Sequence, residues 1–359
     1  MRGKQKTENS GWTVEDRVEP ESKQGAHSIV IPKTANGDSA NGLTPEQNLL
    51  EAILNIDNMF KAQERVISNR GSSGIDGMTV GELNEYLNKH YLELCESIRG
   101  GWYKPKPVKR VEIPKPDGGK RQLGVPTVID RMVQQAMVQV LQPIFEQTFS
   151  DSSYGFRPKR NAHQAIQQAK KYYEEGYTHV VDLDLEKYFD TVNHDLLIKM
   201  VRETIKDEAV ITTDGLVSQT VQGTPQGGNL SPLLSNIYLT RFDRMLEERG
   251  HKFVRYADDC NIYVKSPRAA ERVLSSCTKY LEGKLKLKVN SKKSSTGSPT
   301  KSKFLGFSLY RWGKEVGIRV HEKALKRLKD RLKAMTSRSR GGRIEQIPVK
   351  AIGVYPVAG

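Results

Sequence analysis

Residues 253–264, Phe253-Val-Arg-Tyr-Ala-Asp-Asp-Cys-Asn-Ile-Tyr-Val264, decide how this chain is read. Two short runs rich in aromatic and β-branched residues flank Ala257-Asp258-Asp259, which predicts a tight hairpin with two aspartates at its tip. Upstream, His179-Val-Val-Asp-Leu-Asp-Leu185 reads as a strand. Side chains alternate along a strand, so Asp182 and Asp184 share one face while Val181, Leu183 and Leu185 share the other. If both segments join one sheet, Asp184 and Asp258 come within reach of two divalent cations. Oxygen donors of this kind suit Mg²⁺, which completes its shell with water and substrate phosphates. A two-metal site clamps the attacking and leaving oxygens of a phosphoryl transfer and needs no protein nucleophile. Taken singly, each aspartate pair reads as structural before it reads as catalytic, Asp being a common turn former.

Around these strands the chain alternates helices and hairpins. Thr44-Pro45-Glu46 reads as a helix start with Thr44 as N-cap, and Leu49, Leu50, Ile53, Leu54 and Ile56 carry one helix on to Ser68. Gly71 to Gly77 is a loop, and a helix runs from about Val80 to Ile98. Residues 102–115 are extended up to the turn at Pro116-Asp117-Gly118-Gly119, which predicts a basic β-hairpin. Residues 127–149 read as a helix pair broken near Pro143, and further helices are expected at about 162–175, 268–283 and 322–335. The last carries Leu325, Leu328, Leu332 and Met335 on one stripe. Leu285 to Val289 and Phe304 to Leu309 read as strands. Hairpin-paired strands separated by helices indicate an α+β fold.

Composition narrows the function classes. No unbroken apolar run reaches the length of a membrane span and no signal-peptide stretch follows Met1, so a soluble, intracellular protein is expected. Three cysteines, Cys95, Cys260 and Cys277, are too few and too scattered for a disulfide framework or a zinc site. The histidines lack metal-ligand spacing, and neither a nucleophile elbow nor a Walker loop is present. The net charge of +15 is unevenly placed: residues 284–350 hold 20 Lys/Arg against four acids, and a second basic cluster runs from Lys104 to Arg131. Such footprints fit a polyanion, because each neutralised phosphate releases a counterion. A solvated basic surface is the plain alternative. Residues 1–42 carry six acids and six bases with few large apolar groups, and read as a disordered leader.

The ordered set of motifs goes further. Asp184-Leu-Glu-Lys-Tyr-Phe189, Gln222-Gly-Thr-Pro-Gln-Gly-Gly228, Tyr256-Ala-Asp-Asp259, Leu285-Lys-Leu-Lys-Val-Asn290 and Phe304-Leu-Gly-Phe307 follow the order used by reverse transcriptases. Upstream stand Gly74-Ile-Asp-Gly77, Pro107-Val-Lys-Arg-Val-Glu-Ile-Pro-Lys-Pro116, Arg121-Gln-Leu-Gly-Val-Pro126 and Ser153-Tyr-Gly-Phe-Arg-Pro158. Over about residues 43–345 the chain resembles the reverse transcriptases of mobile group II introns, particularly the bacterial class C type.

The resemblance implies a right-hand polymerase: N-terminal extension and fingers over 43–178, an antiparallel palm sheet with packed helices over 179–312, a partial thumb over 313–347 and an irregular tail at 348–359. It implies two Mg²⁺ ions, with Mn²⁺ able to substitute, held by Asp184, Asp258, Asp259 and the Leu185 carbonyl, with Asp182 in support. Lys109, Lys115, Arg121, Phe189 and Gln226 match residues around the incoming nucleotide. Pro225, Gly227, Gly228, Lys326 and Arg327 match template and primer contacts. The implied partners are an RNA template, intron RNA, a DNA primer or target, and dNTPs, with no membrane. The segment between Lys206 and Gln222 is about one helix shorter than the family pattern, and the thumb is expected to be truncated. A non-catalytic intron RNA-binding splicing factor and an inactive remnant are the other readings.

Overall fold

The computed structural model describes residues 49–114, 119–212 and 227–335. The expected leader, the start at Thr44, Lys115, Pro225, Gln226 and the tail lie outside the described residues, as do 213–222 of the shortened segment and the region after residue 335. The first helix is not continuous. It forms α1 (Leu49–Leu54) and α2 (Ile56–Ser68), because Asn55 leaves helical geometry and its side chain accepts from the Asp57 backbone N–H at 3.0 Å. A short polar side chain that bonds its own downstream backbone starts a helix instead of continuing one. Helix α3 (Leu83–Arg99) follows, then the antiparallel pair β1 (Lys109–Pro114) and β2 (Lys120–Val125), as the Pro-Asp-Gly-Gly turn predicts.

Helix α4 (Val128–Glu146) corrects a second expectation. It runs through Pro143 as one helix, capped by Thr127. Pro143 lies in the last turn between the buried Leu141 and Phe145, whose packing holds the axis across the missing N–H. An Asn161–Gln164 capping box opens α5 (Ala162–Glu174), which leads to β3 (His179–Leu183). Three helices come next, α6 (Tyr188–Thr191), α7 (His194–Thr204) and α8 (Glu208–Thr212). Helix α9 (Ser231–Glu248) is buried along most of its length and feeds the hairpin of β4 (Lys252–Tyr256) and β5 (Asp259–Val264). Then come α10 (Pro267–Gly283) and β6 (Ser295–Gly297), the hairpin of β7 (Phe307–Trp312) and β8 (Glu315–Val320), and α11 (Glu322–Met335).

The stretch 285–289 is not a strand. Its alternation survives as burial of Leu285, Leu287 and Val289, but Lys286 sits at φ +55°, which bends the chain onto the end of α10, and only Val289 bridges to Leu185. The second partner of β3, beside β5, is instead Ser295–Gly297, whose polar, exposed residues carry no apolar signal. In Phe304-Leu-Gly-Phe307, Leu305 and Gly306 take positive φ and close a tight turn, so the strand begins only at Phe307. The expected palm–thumb boundary at 312/313 falls in the turn of the β7–β8 hairpin.

The strand order β4-β5-β3-β6 makes one antiparallel sheet. One face, with Val181, Leu183, Phe253 and Ile262, packs into the main core beside Tyr238 and Phe242 of α9 and Leu281 of α10. Burying Leu183 or Phe253 in this way is worth ~1.5–3 kcal/mol each. The opposite face meets α5 through Val180, Val254 and Tyr263, and beyond that contact it turns polar. All three cysteines are buried and free. The apolar stripe of α11 is laid out as its periodicity predicts, yet Leu325 and Leu328 are 40% and Leu332 38% exposed.

Candidate active site

The polar end of the sheet is built by register. Asp182 stands opposite Asn261 and Leu183 opposite Cys260, so Asp184 and Asp259 face each other one step beyond the last rung. Pairs so placed share a face at close range. Tyr256 pairs with Asp259 to close the hairpin, leaving Ala257-Asp258 as its two-residue tip. The structure thus brings together Asp182, Asp184, Asp258 and Asp259 from the two segments that the sequence singles out.

The backbone beyond β3 is held from the β6 side. The Asp184 carbonyl accepts from the Asn290 N–H at 2.9 Å and from Ser294 Oγ at 3.3 Å, while the Asp184 N–H donates to Ser294 Oγ at 3.0 Å. The next residue, Leu185, is held by the same segment through its bridge to Val289. Lys293 Nζ lies 4.0 Å from Asp184 Oδ2, and Ser302 Oγ donates to Asp182 Oδ2 at 3.4 Å.

Electrostatically these carboxylates form a negative patch that Lys293 and Lys303 border. Burial, followed by the charges of Asp258, Asp182 and Asp184, pushes Asp259 up to about 7; its outer edge is open to solvent, but the groups packed around the carboxyl strip hydration from the other side. Burial is also the first cause that raises Asp182 to about 6, with Asp184 adding to it and the Ser302 hydroxyl opposing it. Lys303 faces both, and burial lowers its own pKa. Among the described residues no three acidic, histidine or cysteine side chains converge tightly enough to hold an ion alone. A hard cation that takes one or two carboxylates and fills its shell with water and phosphate oxygens matches this donor set.

The remaining predicted residues are placed as follows. Phe189 is half-buried on α6, edge-on to Tyr188 with ring centroids 5.2 Å apart. Lys109 is exposed on β1, and the Arg121 backbone pairs with Ile113 on β2. Gly227 sits at φ +126°, and a Cβ there would come within 2.7 Å of the Gly124 carbonyl of β2. That approach, which needs glycine, seats the loop before α9 against the foot of the basic hairpin. Gly228 is buried behind it, and Lys326 and Arg327 stand exposed on α11.

Reading the sequence alone misses the group beneath the tip. Arg255 on β4 is 1% exposed and Asp243 on α9 is fully buried. Arg255 Nε and Nη2 donate to the two Asp243 carboxylate oxygens at 2.7 and 2.5 Å, and Nη1 donates to Asn236 Oδ1 at 3.0 Å and to the Ala257 carbonyl at 2.9 Å. Ala257 itself is at φ +57°. The available signal was an arginine inside the otherwise apolar run Phe253-Val254-Arg255, since a charge buried in a strand needs a partner.

Residues 113–309 match the family model described as reverse transcriptase (RNA-dependent DNA polymerase). The chain is 35% identical over 295 residues to protein YkfC of Escherichia coli K12, covering 68% of this chain and 77% of that protein. It is 32% identical over 255 residues to the group II intron-encoded protein LtrA of Lactococcus lactis, covering 67% of this chain and 42% of LtrA. Over 97 residues it is 31% identical to nuclear intron maturase 1 of Arabidopsis thaliana, covering 27% of this chain and 13% of the maturase.

Proposed function

This chain belongs to the reverse transcriptase family, with group II intron-encoded proteins among its relatives, and from that premise we propose how its own residues divide the work of RNA-directed DNA synthesis. The observation that carries the proposal is the β3–β5 register, which gathers Asp182, Asp184, Asp258 and Asp259 at one end of one sheet. In the reaction a primer 3′-hydroxyl oxygen bonds to the α-phosphorus of a dNTP and the bond to pyrophosphate breaks. Asp184, Asp258, Asp259 and the Leu185 carbonyl are assigned as ligands of two Mg²⁺ ions, or Mn²⁺ in their place. Bound there, the ions would stabilise the attacking and leaving oxygens. Asp182 supports the patch from behind, through Ser302.

The chain's other groups bind and orient. Lys109, Lys115 and Arg121 are assigned to the triphosphate, where preorganised charge counts most. Phe189, braced by Tyr188, sits where a ring excludes a 2′-hydroxyl and so selects deoxynucleotides. Pro225, Gln226, Gly227 and Gly228 are assigned to the templating pair, and Lys326 and Arg327 to duplex phosphates. The substrates on this reading are an RNA template, intron RNA among them, and a DNA primer, in the bacterial cytoplasm. No helix of the described residues is long and apolar enough to cross a membrane.

Extension of oligo(dT) on poly(rA) with dTTP and Mg²⁺, comparing the protein with Asp258→Ala, tests the assignment. Incorporation should fall at least ~10²-fold in the variant. Equal incorporation would remove the catalytic reading.

A further inference from the structure

The tip of the β4–β5 hairpin is not specified by its own residues. Two-residue hairpin loops with positive φ at the first central position favour glycine there, and this one has Ala257 at φ +57° followed by Asp258. Left to local preference, a Tyr-Ala-Asp-Asp segment would sample other turns, and the carboxylate of Asp258 would move with them. Something outside the turn must hold it.

The structure supplies that hold from three segments. Arg255 Nη1 donates to the Ala257 carbonyl at 2.9 Å, while the same guanidinium is clamped in two places by Asp243. Asn236, about two turns before Asp243 on the same α9, receives the other Nη1 proton and passes a hydrogen bond from its Nδ2 to the Gly155 carbonyl at 2.9 Å. The Arg255 backbone is pinned at both ends, its N–H to Ser152 O at 2.8 Å and its carbonyl by the Tyr154 N–H at 2.9 Å. Gly155 then lies so close to the tip that a Cβ on it would collide with the Ala257 backbone nitrogen. Arg255 and Asp243 are inaccessible, so neither can touch a substrate.

We propose that Arg255 is the positioning residue of the metal-binding turn: its planar fork, locked to Asp243 and Asn236 of the core helix α9, fixes the Ala257–Asp258 peptide and thereby aims the Asp258 carboxylate. The role rests on the assignment of Asp258 as a metal ligand. It is a task for arginine in particular, because one flat group must reach a carboxylate, an amide and a main-chain carbonyl at the same time, whereas an ammonium is a point charge on a flexible stem. A carboxylate misplaced by an ångström loses much of its effect on a reaction centre.

The test uses the full chain, metal-free, titrated with Mn²⁺ and followed by electron paramagnetic resonance, alongside steady-state poly(rA)·oligo(dT) extension, at a temperature where circular dichroism shows each variant folded. For Arg255→Lys the expected result is a Mn²⁺ dissociation constant raised ~tenfold and a kcat lowered at least ~tenfold at saturating metal. KM for dTTP should stay within about twofold, since the triphosphate contacts are untouched. A merely structural arginine would lower the melting temperature and leave metal affinity alone, and that outcome overturns the inference. Should Arg255→Lys not fold, Gly155→Ala displaces the same turn with the ion pair intact; weakened Mn²⁺ binding supports the inference and unchanged binding refutes it. Asp258→Ala separates the two levels. If it leaves Mn²⁺ binding unchanged, the metal assignment itself fails; if it weakens binding while Arg255→Lys does not, only the positioning role fails.

Discussion

Substituting Asp243 by leucine removes one member of a fully buried ion pair and leaves the other in place. The Arg255 guanidinium would keep Asn236 and the Ala257 carbonyl but lose both charge-assisted hydrogen bonds and the adjacent counter-charge of Asp243. Each such bond is worth ~1.5–3 kcal/mol and a stranded buried charge costs ~3–5 kcal/mol, so the two routes to the magnitude agree. For a chain of this size a loss of that order lowers the thermal midpoint by roughly 4–7 °C. The double variant Asp243→Leu, Arg255→Met behaves differently, because removing both charges also removes both desolvation penalties. Its stability should return to within about 1 kcal/mol of the parent, or exceed it. Urea denaturation of the four proteins in the cycle, followed by circular dichroism, measures this directly. A single variant costing less than about 1 kcal/mol, or a double variant as unstable as the single, would refute the account of the pair.

Three further outcomes are expected. In the metal-free protein Asp182 and Asp259 titrate at about 6 and about 7, above their ordinary 3.8, so the folded state binds the extra protons; stability should fall as pH rises from about 4 to 7, and saturating Mg²⁺ should flatten that slope in a thermal-shift series. Phe189→Ala should lower the preference for dTTP over UTP in kcat/KM by at least ~10-fold, and an unchanged ratio would take Phe189 away from the sugar. Replacing Lys326 and Arg327 together by alanine should weaken primer–template binding similarly across sequences and reduce the slope of log K against log salt by about 1.4–1.8; an identical slope would place α11 away from the duplex.

The aspartate strands were legible because their signals are local: alternation of Val181 and Leu183 with Asp182 and Asp184, and a hairpin tip between two apolar runs. Their adjacency was not, since pairing of segments some 80 residues apart is decided by the core that α9 and α10 provide. What escaped notice was what lacks apolar pattern or contradicts local preference. Ser295–Gly297 pairs with β3 through backbone alone, Lys286 breaks an apparently alternating strand, and Pro143 is carried inside a helix by its buried neighbours. Asn55 splits one apparent helix into two by a single capping bond. Arg255 shows the same limit at the site: its residue type was visible, but its partners Asp243 and Asn236 on α9 are brought to it only in the folded chain.

The three buried thiols make the protein convenient for site-directed spectroscopy. Burial pushes Cys95 and Cys260 above the usual thiol range and Cys277 up to about 12, so little thiolate is present at neutral pH and reagents have poor access to it. A cysteine placed at an open position such as Trp312, 80% exposed on the β7–β8 hairpin, would therefore take a maleimide spin label or dye ahead of the native three. Movement of that hairpin on loading a primer–template can then be followed in the native background, with none of the original cysteines replaced.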